Sequence, residues 1–153
     1  MVLVMRTPNY DALKLNSQLC FPLYACSREM IKGYKPFLDG LDLTYTQYIT
    51  MMVLWERGSV TVKELGQYLY LDSGTLTPLL KKLEEKGLVT RRRSIEDERS
   101  LIVTLTKAGE NLKEPAAVVP TDLVSGMGLE PPEAQELYRL LKKMMGKNNT
   151  GRE

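Results

Sequence analysis

The chain has no histidine in its 153 residues and only two cysteines, Cys20 and Cys26. The first absence removes Ser-His-Asp and Cys-His catalysis and most zinc sites together. Two cysteines six positions apart make neither a zinc knuckle nor a disulfide framework, so no metal and no cofactor is expected. No apolar run approaches the roughly 18–20 residues of a membrane span, and MVLVMR at the start is too short for a signal-peptide core. These absences describe a cytoplasmic protein with reduced thiols and no membrane partner. The formal net charge is only +2, so no global basic field announces a polyanion. The length fits a single domain over 1–153 with a real core, and the apolar and charged fractions are ordinary.

What is present is concentrated between Asp72 and Leu105. Leu76, Leu79, Leu80 and Leu83 fall at i, i+3, i+4 and i+7, the spacing that lines one face of a helix. Thr75, Thr77, Lys81 and Lys82 take the other face, and Gly87 stops the helix. Pro78 conflicts with a start at Asp72 or Ser73; a start at Gly74 or Thr75 puts it in the tolerated first turn, so the helix is expected to begin late or bend. Val89–Arg93 and Leu101–Leu105 read as paired strands around a polar tip, SIEDERS. Upstream, Thr61 and Glu64 form a capping box for a helix with Val62, Leu65 and Leu69 inward. Helix, turn, helix and a two-stranded ribbon is the layout of a winged helix-turn-helix, whose second helix enters the major groove. The helix pair alone also fits a plain αα-hairpin; the ribbon favours DNA. From Thr75 to Arg93 six cations (positions 81, 82, 86, 91, 92 and 93) stand against Glu84 and Glu85, a local net of +4. A solvated lysine face would give the same count.

The first residues, Met1 to Leu13, read as an irregular arm. Leu15, Leu19, Leu23, Cys26 and Met30 mark a helix that starts near Cys20 or bends at Pro22, and Gly33 and Pro36 are expected to end it, leaving FLDGLDL as a loop or a single turn. Thr44 with Gln47 caps a nearly all-apolar helix that Gly58 ends, and Ser59 and Val60 can add a third strand. Thr106 opens a further helical stretch interrupted by Pro115 and Pro120 and finished by Gly126 and Gly128. Pro131 and Pro132 fit the first turn of a last helix striped by Leu137, Leu140, Leu141 and Met144, followed by a polar tail. The fold class is mainly α with a small β wing (α+β). Residues 44–105 form the winged helix and bury their own faces. The flanking helices, 14–35 and 106–146, then need a partner, and a homodimer matches a two-fold operator; covering the core of a monomer is the alternative.

YLYLDSGTLTPLLKKLEEKGLVTRRRSIEDERSLIVTLTKAG resembles the MarR family of winged-helix regulators, in the recognition helix and the D-x-R wing. LNSQLCFPLYACSREMIKGYKPFLDGLDLTYTQYITMMVLWE resembles one branch of it, the organic-hydroperoxide sensors of the OhrR type. The resemblance spans Leu15 to about Gly109. It implies that Cys20 is the peroxide-reactive cysteine, with Tyr34 and Tyr45 holding its thiolate and Tyr24 in the same pocket. It implies that Ser73, Gly74, Thr75, Thr77, Pro78 and Lys81 meet DNA on the recognition helix. Arg91 would contact phosphate at the wing base, Arg99 would enter the minor groove, and Asp97 would orient that arginine.

Tyr34 lies 14 residues beyond Cys20, about 21 Å along an unbroken helix, so only antiparallel first helices in a dimer would join them. A thiolate attacking a peroxide becomes a sulfenic acid, which seeks a second thiol. Six residues apart on a helix, Cys20 and Cys26 are about 9 Å apart, beyond disulfide reach. A one-cysteine sensor capped by a small-molecule thiol is therefore expected, with Cys26 as core. The reading is a redox-sensing repressor that oxidation of Cys20 releases from operator DNA, and not an enzyme. The alternative is a regulator of the same fold released by a small apolar or phenolic ligand, with Cys20 merely packed. A peroxide-consuming enzyme would need a resolving cysteine or recruited reductant, and the chain offers neither.

Overall fold

The computed structural model describes residues 9–119, 123 and 125–148. Among the described residues, seven α-helices and three short strands follow one another as α1 (Cys20–Gly40), α2 (Tyr45–Arg57), β1 (Ser59–Thr61), α3 (Val62–Leu69), α4 (Ser73–Glu85), β2 (Val89–Arg93), β3 (Leu101–Leu105), α5 (Lys107–Asn111), α6 (Lys113–Ala116) and α7 (Pro131–Asn148). The arm expected over Met1 to Leu13 lies partly outside the described residues; its described part closes a 3-10 turn at Tyr10–Leu13, opened by the Asn9 side chain.

Local chemistry sets most boundaries. Both expected capping boxes form: Thr44 and Gln47 exchange side-chain and backbone bonds at the start of α2, and Thr61 and Glu64 do so at α3. Each replaces two orphan donors of a first helical turn. Gly58 ends α2 at φ 75 and Gly87 follows α4 at φ 73, a region where a side chain would clash. Thr106 caps α5 by accepting from the Gly109 N–H. The sheet is antiparallel in the order β1-β3-β2. Its central Val103 is paired with Val60 on one side and Arg91 on the other.

Two boundaries differ from the sequence expectation. Helix α1 runs through Gly33 and Pro36 to Gly40, so FLDG continues the helix and is not a separate loop or turn. Leu38 is buried in the common core, and its carbonyl accepts from both Leu41 and Leu43, which holds the final turn despite the donor that Pro36 lacks. Gly33 serves a contact instead of a stop: a Cβ there would lie 2.8 Å from the Leu123 side chain. Helix α4 starts at Ser73, earlier than expected, with Pro78 inside it. The Asp72 carboxylate accepts from the Thr75 N–H at 2.8 Å, and this cap fixes the start one turn before the proline. The Gly74 carbonyl that Pro78 leaves without a backbone donor is on an exposed residue. Downstream, the stretch after Thr106 divides into α5 and α6. Pro120 lies outside the described residues, as does the tail from 149 onward.

The core sits under the winged helix. Met51 and Leu54 of α2, Leu65 of α3, Leu76, Leu80 and Leu83 of α4, Val89 and Val103 are almost completely buried. At about 25 cal/mol per Å² such side chains are the main stabilising term. The termini behave differently. Phe21, Tyr24, Met30, Ile31 and Phe37 of α1 and Leu137, Tyr138, Leu140, Met144 and Met145 of α7 are exposed.

Candidate thiol site and nucleic-acid interface

Cys20 is the first residue of α1, and its thiol is free and exposed. Cys26 is exposed as well, which corrects its assignment to the core. The reason is that α1 packs onto the chain chiefly near its C-terminal end, at Tyr34 and Leu38. One turn beyond Cys20, Tyr24 is exposed and its hydroxyl accepts from Arg28 at 2.9 Å, with the guanidinium also over the ring. Such a donor leaves the phenolic proton free for another acceptor.

The remaining tyrosines gather elsewhere. The Tyr34 ring lies 5.0 Å from Tyr45 and 6.0 Å from Tyr48, and Tyr48 stands edge-on to Trp55 at 6.3 Å. Burial raises the Tyr45 hydroxyl above the ordinary tyrosine value, and neighbouring Tyr34 adds to it. Burial does the same at Tyr48. These phenols therefore stay protonated at neutral pH and are available as donors. Because α1 is unbroken between Cys20 and Tyr34, the thiol and this cluster are about 21 Å apart in one chain at 1.5 Å per residue. The structure thus joins Tyr34 with Tyr45 and keeps both away from Cys20. Tyr48 was missed in sequence reasoning; its place three residues after Tyr45 puts it on the same helix side and was the available signal.

The second surface is built on α4. Ser73, Gly74, Thr75, Thr77, Pro78 and Lys81 are all exposed, while the leucine stripe behind them is buried. Asp72 presents this helix N-terminus, and the Thr75 N–H it accepts from holds its carboxyl below the usual range. Thr77 spends its hydroxyl proton on the Ser73 carbonyl at 2.8 Å. Lys86 and Arg91, both among the local cations, are engaged away from this face. Lys86 reaches Asp42. Arg91 gives Glu84 two guanidinium bonds, at 3.0 and 2.8 Å, and its backbone N–H a third at 2.9 Å. That carboxylate, held low chiefly by the Arg91 side chain, ties the wing root to the recognition helix. No local spacing pattern announces Glu84, because its partner is on a different element.

At the wing tip Asp97 orders the turn itself. Its carboxylate accepts from the Arg99 N–H at 3.0 Å and from the Ser100 hydroxyl at 2.9 Å, so it positions the Arg99 backbone in place of the guanidinium. Arg93 donates to the Glu98 carbonyl across the same turn. Arg99 and Ile95 are left exposed at the end of the ribbon. Among the described residues no group of three His, Cys, Asp or Glu side chains is placed to hold a metal ion. No helix among them is long and apolar enough to cross a membrane.

A helix pair with an exposed second helix and an arginine-tipped ribbon defines a winged-helix protein. The family described as transcriptional regulator SarA/Rot matches residues 32–115. The organic hydroperoxide resistance transcriptional regulator of Bacillus subtilis is 49% identical over 146 residues, covering 91% of this chain and 97% of that protein. Reduced AbfR bound to DNA is 34% identical, with a TM-score of 0.73 over 90% of this chain and 96% of that one. MarR of E. coli, in its apo form, is 28% identical, with a TM-score of 0.68 over 83% and 96% of the two chains. The chain belongs to the SarA/Rot family of transcriptional regulators, has the MarR-type winged-helix fold, and is similar to the organic hydroperoxide resistance regulator of Bacillus subtilis.

Proposed function

We propose that this protein is a redox-sensing, DNA-binding transcription repressor that works as a homodimer in the cytoplasm. The observation that carries this reading is the exposed thiol at the first residue of α1, on a helix face left uncovered by its own chain. Two copies with antiparallel α1 helices bring Cys20 of one protomer to Tyr34 and Tyr45 of its partner, with Tyr24 beside it. The relative named for hydroperoxide resistance and AbfR, which has been solved in DNA-bound and disulfide forms, support a redox switch over release by a small ligand. The exposed position of Cys20 also disfavours a merely packed cysteine.

In the reduced dimer two α4 helices occupy successive major-groove half-sites, with Ser73, Gly74, Thr75, Thr77, Pro78 and Lys81 at the surface of contact. Arg99 enters the minor groove on a turn held by Asp97, and Arg91 secures the wing root beside the phosphates. A protein acting this way is a regulator and not an enzyme. It uses no metal or cofactor.

The chemistry balances simply. The Cys20 thiolate attacks one peroxide oxygen, the O–O bond breaks, and the alcohol leaves; sulfur is oxidised to sulfenic acid and the peroxide reduced. A small-molecule thiol then condenses with the sulfenic acid, forming a mixed disulfide and releasing water. A helix N-terminus and phenolic donors favour the thiolate that starts the sequence. The capped sulfur no longer fits between the protomers, and the two α4 helices lose half-site spacing, a local chemical change that biases a two-state dimer.

The test is operator binding by the purified protein before and after a stoichiometric organic hydroperoxide, with mass spectrometry on Cys20. Release accompanied by a sulfenic acid or mixed disulfide is expected, and Cys20→Ser should bind operator but ignore peroxide. A Cys20→Ser protein released like the wild type would sink the sensor assignment.

A further inference from the structure

One contact joins the turn between α1 and α2 to the C-terminal end of α4. Lys86 is the C-cap of α4. Its ammonium donates to the Asp42 carbonyl, lies 3.1 Å from the Asp42 carboxylate and reaches Gln47 Oε1 at 3.5 Å. Asp42 is held at φ 52 in the turn between α1 and α2, in the left-handed region that aspartate and asparagine tolerate better than most residues. Gln47 is 3% exposed, and the same Oε1 accepts from the Thr44 N–H at 3.0 Å. Lys86 therefore grips both ends of the segment that presents Tyr45, the first residue of α2. Tyr45 in turn contacts Tyr34 of α1.

We infer that Lys86 is a positioning residue that couples the thiol site to DNA: it transmits a displacement of the Asp42–Gln47 segment to the C-terminal end of α4. This rests on the redox reading above. Packed side chains and hydrogen-bond networks can carry coupling between sites, through an element whose equilibrium both sites bias. Here the connection is short, running from Tyr34 to Tyr45, to Gln47 and Asp42, and to the Lys86 ammonium. The bond to the Asp42 carbonyl is charge-assisted, while the ion pair to the exposed Asp42 carboxylate and the longer Gln47 contact add direction more than strength. Lys86 faces the α1–α2 turn and not the exposed threonine side of α4, so it is not a phosphate contact.

Allosteric coupling factors are typically about 5–150-fold. The experiment measures operator affinity of reduced and hydroperoxide-treated dimer for the wild type, Lys86→Met and Asp42→Asn, with Cys20 oxidation followed by mass spectrometry. In the wild type the oxidised-to-reduced Kd ratio is expected to lie in that range. Lys86→Met should bring the ratio below about threefold while Cys20 oxidises at an unchanged rate. Its reduced form should keep the wild-type dependence on salt, whereas loss of a phosphate contact lowers the slope by about 1. Asp42→Asn keeps a residue tolerant of the turn, removes only the carboxylate and should lower the ratio part of the way; it serves if Lys86→Met does not fold. A wild-type ratio preserved in both variants overturns the coupling role with the redox reading intact. A reduced-state affinity and salt slope that both fall in Lys86→Met make Lys86 a DNA contact and overturn it too. A wild type that does not respond to hydroperoxide removes the redox reading, and the coupling falls with it.

Discussion

The winged helix between Thr44 and Leu105 and the two long helices that flank it all carry apolar side chains at helical spacing, yet they end in opposite states. The first closes on itself: its capping boxes, leucine stripe and three-stranded sheet leave no buried side-chain polar atom without a partner among the described residues. The second, α1 and α7, leaves phenylalanine, tyrosine, leucine and methionine side chains at the surface. An apolar stripe is therefore not by itself a core; it is a core only where the chain can return to cover it. The uncovered stripes mark where a second copy is proposed to complete the molecule, and Cys20 stands on one of them. Reading of DNA and sensing of oxidant are thereby divided between a part that one chain finishes and a part that it does not.

Breaking the self-sufficient half should have the largest effect. Leu83→Ala empties a fully buried position of α4 and should cost about 2–5 kcal/mol in chemical denaturation. Leu140→Asp on exposed α7 should leave that transition nearly unmoved but shift the protein from dimer to monomer in sedimentation, with loss of operator binding. Equal destabilisation by the two would erase the distinction between the halves.

Arg99→Ala acts only at the tip of the wing. Operator affinity should fall by about 1–3 kcal/mol and its dependence on salt should lessen, with unchanged thermal stability. Identical binding from low to high salt would remove Arg99 from the interface.

The smallest effect sharpens the comparison by pH. Glu84 is lowered by Arg91, Asp72 by the Thr75 N–H and Glu64 by Thr61. A carboxylate lowered in the folded state contributes stability above its ordinary value and loses it as pH falls through the folded one. Stability should hence decline below the ordinary glutamate value of 4.5, and Glu84→Gln should flatten part of that decline. Tyr45 and Tyr48 are raised, so their contribution is present below 10.0 and lost as pH climbs beyond it. A denaturation midpoint that rises on acidification would contradict the assigned carboxylate contacts.

Residues alone specified what depends on near neighbours in sequence. The T-x-x-Q and T-x-x-E boxes, the glycines after α2 and α4, the limits of both wing strands and the leucine stripe of α4 all rest on interactions within about four residues or on a backbone region that glycine tolerates. The cysteine–tyrosine pattern and the D-x-R tip came from the resemblance to a family and not from local spacing. Tertiary structure decided the rest. Helix α1 continues past Pro36 because Leu38 is anchored in a core assembled from distant segments, which no local pattern encodes. Cys26 is exposed because α1 meets its own chain mainly near one end. Arg91 read in the sequence as a phosphate contact and Lys86 simply as positive charge; the fold alone set Glu84 beside one and the Asp42 turn beside the other. Side-chain spacing fixes a helix and its faces, but what covers each face is chosen only when elements far apart in the chain compete for it.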